Sequence, residues 1–198
     1  MQNNIASIDR FIQHLTKYVN LSNEDITFIT ELIPIRTVEK NDFLIREGEV
    51  SSEFYYLSEG FVRLYYVQDG EEKTAYFYDK GTFISAYSSF MRQTPCNFYL
   101  QATESSSLAV IGLEVSQKLL DYSSKFERLA RVAMEEEMVS LQEIIASLLT
   151  LRPEERYADL LKRNPEIFQK VPQLQIASYL GVKPESLSRI KKRFMQRS

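Results

Sequence analysis

Leu174-Gln175-Ile176-Ala177-Ser178-Tyr179-Leu180-Gly181-Val182-Lys183-Pro184-Glu185-Ser186-Leu187-Ser188-Arg189-Ile190 spells two short amphipathic helices around a glycine. Ile176 and Leu180 recur at helical spacing and point inward, and Ala177 is small where a second helix must cross closely. Gly181 occupies the turn, where a positive φ is cheap only for glycine. Val182 fills the corner. Pro184 is tolerated because it lies in the first turn of the next helix. Leu187 and Ile190 bury that helix at i, i+3. The pattern is that of a helix-turn-helix, two helices braced by a short turn with the second free to lie in a major groove.

The outer side of the second helix has the chemistry DNA requires. Lys183 and Pro184 lead into it, and Glu185, Ser186, Ser188 and Arg189 occupy its N-terminal half. Arg pairs bidentately with guanine, Glu accepts from cytosine, and Ser bonds base or phosphate. Lys192, Arg193 and Arg197 follow, placed to neutralise phosphates. An ordinary helical hairpin with a basic surface is the plainer alternative.

Charge along the 198-residue chain agrees with that placement. The net charge of −3 hides a gradient: residues 1–115 hold 9 basic and 16 acidic side chains, residues 116–182 hold 9 and 10, and residues 183–198 hold 6 and 1. An acidic body with a basic end repels polyanions along most of its surface and attracts them at one place. Apolar residues at 44% and charged residues at 26% are ordinary globular usage. Apolar runs fall far short of a membrane span and no signal-peptide pattern opens the chain, so a cytoplasmic protein without membrane contact is expected.

The rare residues exclude classes of chemistry. Cys96 is the one cysteine and His14 the one histidine. Intrachain disulfides, four-cysteine clusters, Cys/His zinc sites and multi-histidine metal centres are excluded within one chain. His14 lies in a polar N-terminal helix pattern and reads as a surface residue. Neither phosphate-binding nor dinucleotide glycine loops occur. No catalytic residue, metal or cofactor is expected, and the chain does not read as an enzyme.

Working upstream, residues 5–35 read as helical, with Ile5, Ile8, Phe11, Ile12 and Leu15 at three- and four-residue spacing. Ser22 and Asp25 form a capping arrangement for a second helix, Glu24 to Leu32. Residues 36–112 change period. Asp42–Ile45, Phe54–Leu57, Phe61–Val67, Thr74–Tyr78, Asn97–Ala102 and Ser107–Ile111 are short, aromatic and β-branched, and separated by turn signals, with Asp69-Gly70 a hairpin signal. Many short strands at near-even spacing suggest a small barrel or jelly roll.

From residue 113 the period is helical again. Met134, Met138, Leu141, Ile145 and Leu148 form an a/d seam of period 3.5. A helix packed on its own barrel is one reading. A dimer seam is favoured, because a second stripe of Leu129, Ala133, Ile144 and Leu151 can serve the barrel. Arg152-Pro153 ends the helix and Pro153 opens another, which carries Tyr157, Leu160 and Leu161 to near Asn164-Pro165.

Taken together these segments resemble the Crp-Fnr family of bacterial transcription regulators over nearly the whole chain. Glu47-Gly48-Glu49 with Phe54-Tyr55-Tyr56-Leu57-Ser58-Glu59-Gly60-Phe61-Val62-Arg63-Leu64 is similar to its β-roll signature, and Lys80-Gly81-Thr82-Phe83-Ile84 to the entry of its nucleotide cassette. The seam resembles its dimerisation helix, and Ile176 to Ile190 its DNA-reading motif. The resemblance implies an α+β chain with three parts. They are an effector-binding-like β-roll (jelly-roll) domain with N-terminal helices over 1–115, a dimerisation helix over 116–151, and a winged helix-turn-helix domain over 152–198. It implies a homodimer on a pseudo-palindromic double-stranded DNA operator, with RNA polymerase a further candidate partner.

The cassette departs from the cyclic-AMP-binding members. Their Gly-Glu-Leu step, whose Glu takes the ribose hydroxyl, aligns with Ser85-Ala86-Tyr87. Their Arg-Ser pair, which takes the cyclic phosphate, aligns with Cys96-Asn97. A buried phosphodiester needs a cation and donors, and neither Ala86 nor Cys96 replaces them. Arg92 could bring a charge from another direction. Phe83, Tyr87, Phe90 and Phe98 would suit an apolar ligand, or the pocket holds none, so the effector is unknown. Cys96 reads as a redox-sensitive or haem-ligating thiol, or more simply as an inert one. A module that senses a ligand and acts through protein contacts is the alternative function, opposed by the intact helix-turn-helix.

Overall fold

A computed structural model describes residues 2–195, with side chains from Ile5 to Phe194. Helix α1 (Gln2–Leu15) buries Ile8, Phe11, Ile12 and Leu15, whereas Ile5 is exposed. Helix α2 (Asn23–Leu32) opens with a reciprocal cap. The Ser22 hydroxyl accepts from the Asp25 N–H (3.2 Å) and the Asp25 carboxylate accepts from the Ser22 N–H (2.8 Å), an arrangement worth about 1 kcal/mol. The helical reading to residue 35 overshoots. Ile33, before Pro34, is extended, and strand β1 (Ile35–Val38) begins at once.

Strands β2 (Phe43–Ile45), β3 (Glu53–Glu59), β4 (Phe61–Gln68), β5 (Glu71–Asp79), β6 (Phe83–Ser85), β7 (Tyr99–Ala102) and β8 (Ser106–Gly112) complete two antiparallel four-stranded sheets. Their orders are β1-β8-β3-β6 and β2-β7-β4-β5. The two sheets enclose Tyr55, Leu57, Val62, Leu64, Tyr78, Ile84, Leu100, Leu108 and Val110. Asp69 (φ 54°) and Gly70 (φ 78°) are both left-handed, which gives the β4–β5 hairpin a turn whose twist matches its strands.

A single turn and a half of helix, α3 (Tyr87–Arg92), interrupts the roll. After β8 come α4 (Leu113–Tyr122) and the long α5 (Ser124–Thr150). Phe126, Leu129 and Ala133 of α5 join Phe11, Ile29, Tyr56 and Phe83 in a second core, outside the roll. His14 belongs to that core and is not a surface residue. It is 7% exposed, with its ring 5.1 Å from Tyr56 and 5.5 Å from Phe83. It stands one turn from Phe11 on a face that the roll and α5 together cover, so the apolar stripe of α1 is wider than its aliphatic residues suggest.

The chain closes with α6 (Pro153–Arg163), α7 (Ile167–Lys170), α8 (Gln173–Leu180) and α9 (Pro184–Met195). Pro153 sits in the first turn of α6, where its missing N–H costs nothing. Every described residue after Gly112 lies in a helix or a short connection. The strand pair of a wing is therefore not among the described residues. The third core joins these helices (Leu160, Ile167, Ile176, Leu180, Leu187, Ile190) to Phe61 and Phe77 of the roll.

Candidate functional site

Helices α8 and α9 are locked by their own sequence. Ile176, Ala177, Leu180, Leu187 and Ile190 are buried. Gly181 is left-handed (φ 68°), and its N–H and that of Val182 return to carbonyls of the last turn of α8, a glycine C-cap. The Arg156 guanidinium of α6 donates to the Leu180 carbonyl and lies 3.2 Å from where a Gly181 Cβ would stand. A side chain at 181 would meet both a conformational and a steric cost. Nothing in the local sequence of α6 announces that role for Arg156.

The opposite side of α9 is open. Lys183, Pro184, Glu185, Ser188, Arg189, Lys192 and Arg193 are exposed and Ser186 is half-buried. The expected contact residues therefore share one surface, with Leu187 and Ile190 behind them. Arg193 is partly engaged, 3.6 Å from Glu154 of α6. Arg189 makes only a long contact, Nε to the Glu185 carbonyl at 3.4 Å, and Lys192 has no ionic partner among the described residues. Arg197 lies outside the described residues. Glu185, in the first turn of α9, is favoured by the helix dipole.

The helix-turn-helix is docked on the roll. Ser178 of α8 accepts from the Thr74 N–H and donates to the Glu72 carbonyl, both at 2.9 Å. Phe77 packs on Tyr179 with ring centres 5.5 Å apart. Beneath the hairpin lies Arg63, 1% exposed, with Glu72 at 2.7 Å, Gln101 at 3.0 Å, Thr74 at 3.4 Å and the Tyr65 ring 3.9 Å from its guanidinium carbon. Val62 and Leu64 face the interior of the roll and Phe61 and Arg63 face out, as strand alternation requires. A cleft of about 630 Å³ separates the hairpin from the turn at Gly181.

The expected effector residues do not converge. Ala86 is packed into the roll core, and Tyr87 and Arg92 are exposed at the two ends of α3. Asn97 is exposed, while Cys96 is buried. The Cys96 thiol donates to the Arg46 carbonyl (3.2 Å) and approaches that of Phe98 (3.4 Å). Burial pushes it above the ordinary thiol range, the reverse of what a reactive thiolate needs. Phe83 and Ser85 turn toward α5, where the Ser85 hydroxyl meets both oxygens of Glu137 at 3.1 and 3.0 Å.

Beside that contact lies a cavity of about 590 Å³ between α1, the β5–β6 turn and α5, lined among others by His14, Tyr76, Tyr78, Phe83, Glu136 and Glu137. The Glu136 carboxylate accepts from the Tyr18 hydroxyl and stands 3.3 Å from His14 Nε2. Burial lowers the His14 pKa more than Glu136 raises it, so the imidazole is neutral at pH 7. Burial also raises the pKa of Glu137, against the Ser85 hydrogen bond. The seam on α5 faces solvent: Met138, Leu141, Ile145 and Leu148 are exposed and Met134 is half-buried. The second stripe is buried at Leu129 and Ala133 and half-buried at Ile144 and Leu151.

Comparison with known proteins places these features. The family described as "Cyclic nucleotide-binding domain" matches residues 35–123. The anaerobic regulatory protein of Haemophilus influenzae is 25% identical over 173 residues, covering 81% of this chain and 66% of that protein. The chain thus spans slightly less than two thirds of the length of that curated relative. Among solved structures, FixK2 of Bradyrhizobium japonicum superimposes with a TM-score of 0.69 at 16% identity, covering 83% of this chain and 85% of that one. The c-di-GMP-responsive global regulator CLP of Xanthomonas campestris gives 0.64 at 17%, covering 89% and 93%. The catabolite activator protein of Thermus thermophilus gives 0.52 at 18%, covering 93% and 87%. The three structures share the fold.

Proposed function

We propose that the chain is a homodimeric, sequence-specific DNA-binding transcription regulator of the Crp-Fnr type, not controlled by cyclic AMP, a reading supported by the match of residues 35–123 to the cyclic nucleotide-binding domain, by the similarity to the anaerobic regulatory protein and by the fold shared with FixK2. One observation carries the DNA-binding half. Helices α8 and α9 bury five small or aliphatic side chains behind a surface that presents Glu185, Ser188, Arg189 and Lys192 together. A helix of this length, braced by another and cationic on its free side, fits a major groove.

Dimerisation rests on the exposed α5 seam, since a run of apolar residues on a helix face is normally covered. The proposed three parts remain the roll, the seam and the DNA-reading helices, but the boundary at 115 falls inside α4, and the first half of α5 packs with the roll. Insensitivity to cyclic AMP is supported by the surroundings of Ser85. Among the described residues the charged group that meets it is the carboxylate of Glu137, and Arg92 is exposed. A cyclic phosphate in that place would face like charge without a compensating cation. A cytoplasmic location is part of this proposal; no helix among the described residues is long and apolar enough to cross a membrane.

The test is a titration of the purified chain against DNA from its own upstream region at one fixed salt concentration, with and without cyclic AMP. Tight, sequence-dependent binding that ignores the nucleotide is expected. Binding that appears only with cyclic AMP would overturn the reading of the cassette.

A further inference from the structure

The cavity between the roll and α5 has the polarity opposite to that of a phosphate site. Of the residues that line it, none is Lys or Arg, whereas Glu135, Glu136 and Glu137 all reach it. Glu135 is 3.7 Å from Arg131 and so is partly neutralised. Among the described residues Glu136 and Glu137 are hydrogen-bonded by hydroxyls alone, Tyr18 for the first and Ser85 for the second, and neither is paired with a Lys or Arg. His14 adds a second sign of an unfilled site. It is 93% buried, and its Nε2 makes no hydrogen bond although the Glu136 carboxylate is close by. Tyr18, Tyr76, Tyr78 and Phe83 add aromatic side chains to the wall. Partly buried carboxylates without a cation are costly, and ring faces attract cations. At about 590 Å³ the space suits a small molecule.

We propose that this cavity binds a small organic cation, an ammonium group on an aromatic or apolar body, with the ammonium held by Glu136 and Glu137 and the body against the tyrosine rings. The site excludes anionic nucleotides by charge. This assignment rests on the reading of the chain as a regulator whose ligand site has been redirected, and it gives that site a ligand class. All three lining carboxylates lie on α5 just before the exposed part of the seam, so an occupant would touch the helix that the proposed dimer shares.

The probes are tryptamine and indole-3-acetate, which share a ring and differ in the sign of their charge. Calorimetry on the full chain at pH 7, without DNA, is expected to show saturable tryptamine binding at one per chain and none for indole-3-acetate. Carboxylate-to-amide replacement at both positions, E136Q with E137Q, should weaken tryptamine at least roughly tenfold, in line with the loss of charge-assisted hydrogen bonds. A circular dichroism spectrum like the parent's shows that the variant is folded, and the probe pair on the unaltered chain needs no variant. No saturable heat from tryptamine up to a few millimolar, equal binding of both probes, or an affinity unmoved by the substitutions would overturn the assignment. DNA titration of the same samples separates the two claims: a chain that binds tryptamine but no operator keeps the cavity and loses the regulator.

Discussion

The two halves of α5 obey the same helical period and meet different fates. From Ser124 to Ala133 the helix buries Phe126, Leu129 and Ala133 against α1, α2 and the roll, and Lys125 pairs with Asp25 at 2.6 Å. From Met138 to Leu149 it exposes Met138, Val139, Leu141, Ile145, Leu148 and Leu149, the last at 80%. The first half is accounted for inside the chain. The second is the more apolar of the two, with eight apolar residues among the twelve from Met138 to Leu149, and leaves most of them exposed. An amphipathic helix is stable only where its apolar face is covered, and the proposed dimer would cover this one.

The largest expected effect breaks that contrast at its exposed end. Leu141→Glu places a charge in the seam and should turn a dimer into a monomer by sedimentation velocity. A dimer that survives it would mean that the exposed half is not the interface. Leu129→Ala, in the covered half, should cost about 2–5 kcal/mol in urea unfolding. Leu149→Ala in the Leu141→Glu background should stay within about 0.5 kcal/mol, as exposed sites do. Similar losses at both positions would erase the distinction.

Helix α9 repeats the contrast on a smaller scale, with Leu187 and Ile190 covered and Arg189 and Lys192 open. Arg189→Ala should cost about 1–3 kcal/mol on the preferred site and relax one base preference. Lys192→Ala should weaken all DNA alike and flatten the salt dependence. Equal losses on specific and random DNA for both would remove the base-reading role of Arg189.

The smallest effects concern pH, and the two halves of α5 have opposite signs. The Lys125 ammonium, with the Ser22 N–H, holds the Asp25 carboxyl below its ordinary value of 3.8. The stability it contributes is present above 3.8 and is lost as pH falls through the lower folded value. Asp25→Asn should therefore lower the melting temperature at pH 7 and match the parent in strong acid. Burial raises the Glu137 carboxyl above 4.5, so its favourable contribution is present below 4.5 and is lost as pH rises through the folded value. Glu137→Gln should raise the melting temperature at pH 7, and the gain should vanish below pH 4.5.

Much of this was legible in the chain because the information was local. Val182, Pro184 and the left-handed φ of Gly181 meet constraints set within the turn, Ala177 meets one set by the neighbouring helix, and aromatic alternation with Asp69-Gly70 marks the hairpin. What escaped was set by distant partners. Phe61 and Phe77 point out of the roll into the core of α8, so β4 is buried on both faces and loses the alternation that would orient it. Thr74 and Ser178 meet across 104 positions, and Ser85 and Glu137 across 52. His14 looked polar by neighbourhood and is internal because α5 returns over it. The short β6 and α7 are too brief for any period to show.

Cys96 has a practical consequence. It is the one thiol in the chain, enclosed by the carbonyls of Arg46 and Phe98 in a loop held by backbone hydrogen bonds of 2.9 Å to Gly48 and Glu49. A disulfide reagent must wait for that loop to part. Its reaction rate is therefore a stopwatch on the breathing of the roll, readable in the unaltered protein, and any occupant that tightens the roll would slow the clock.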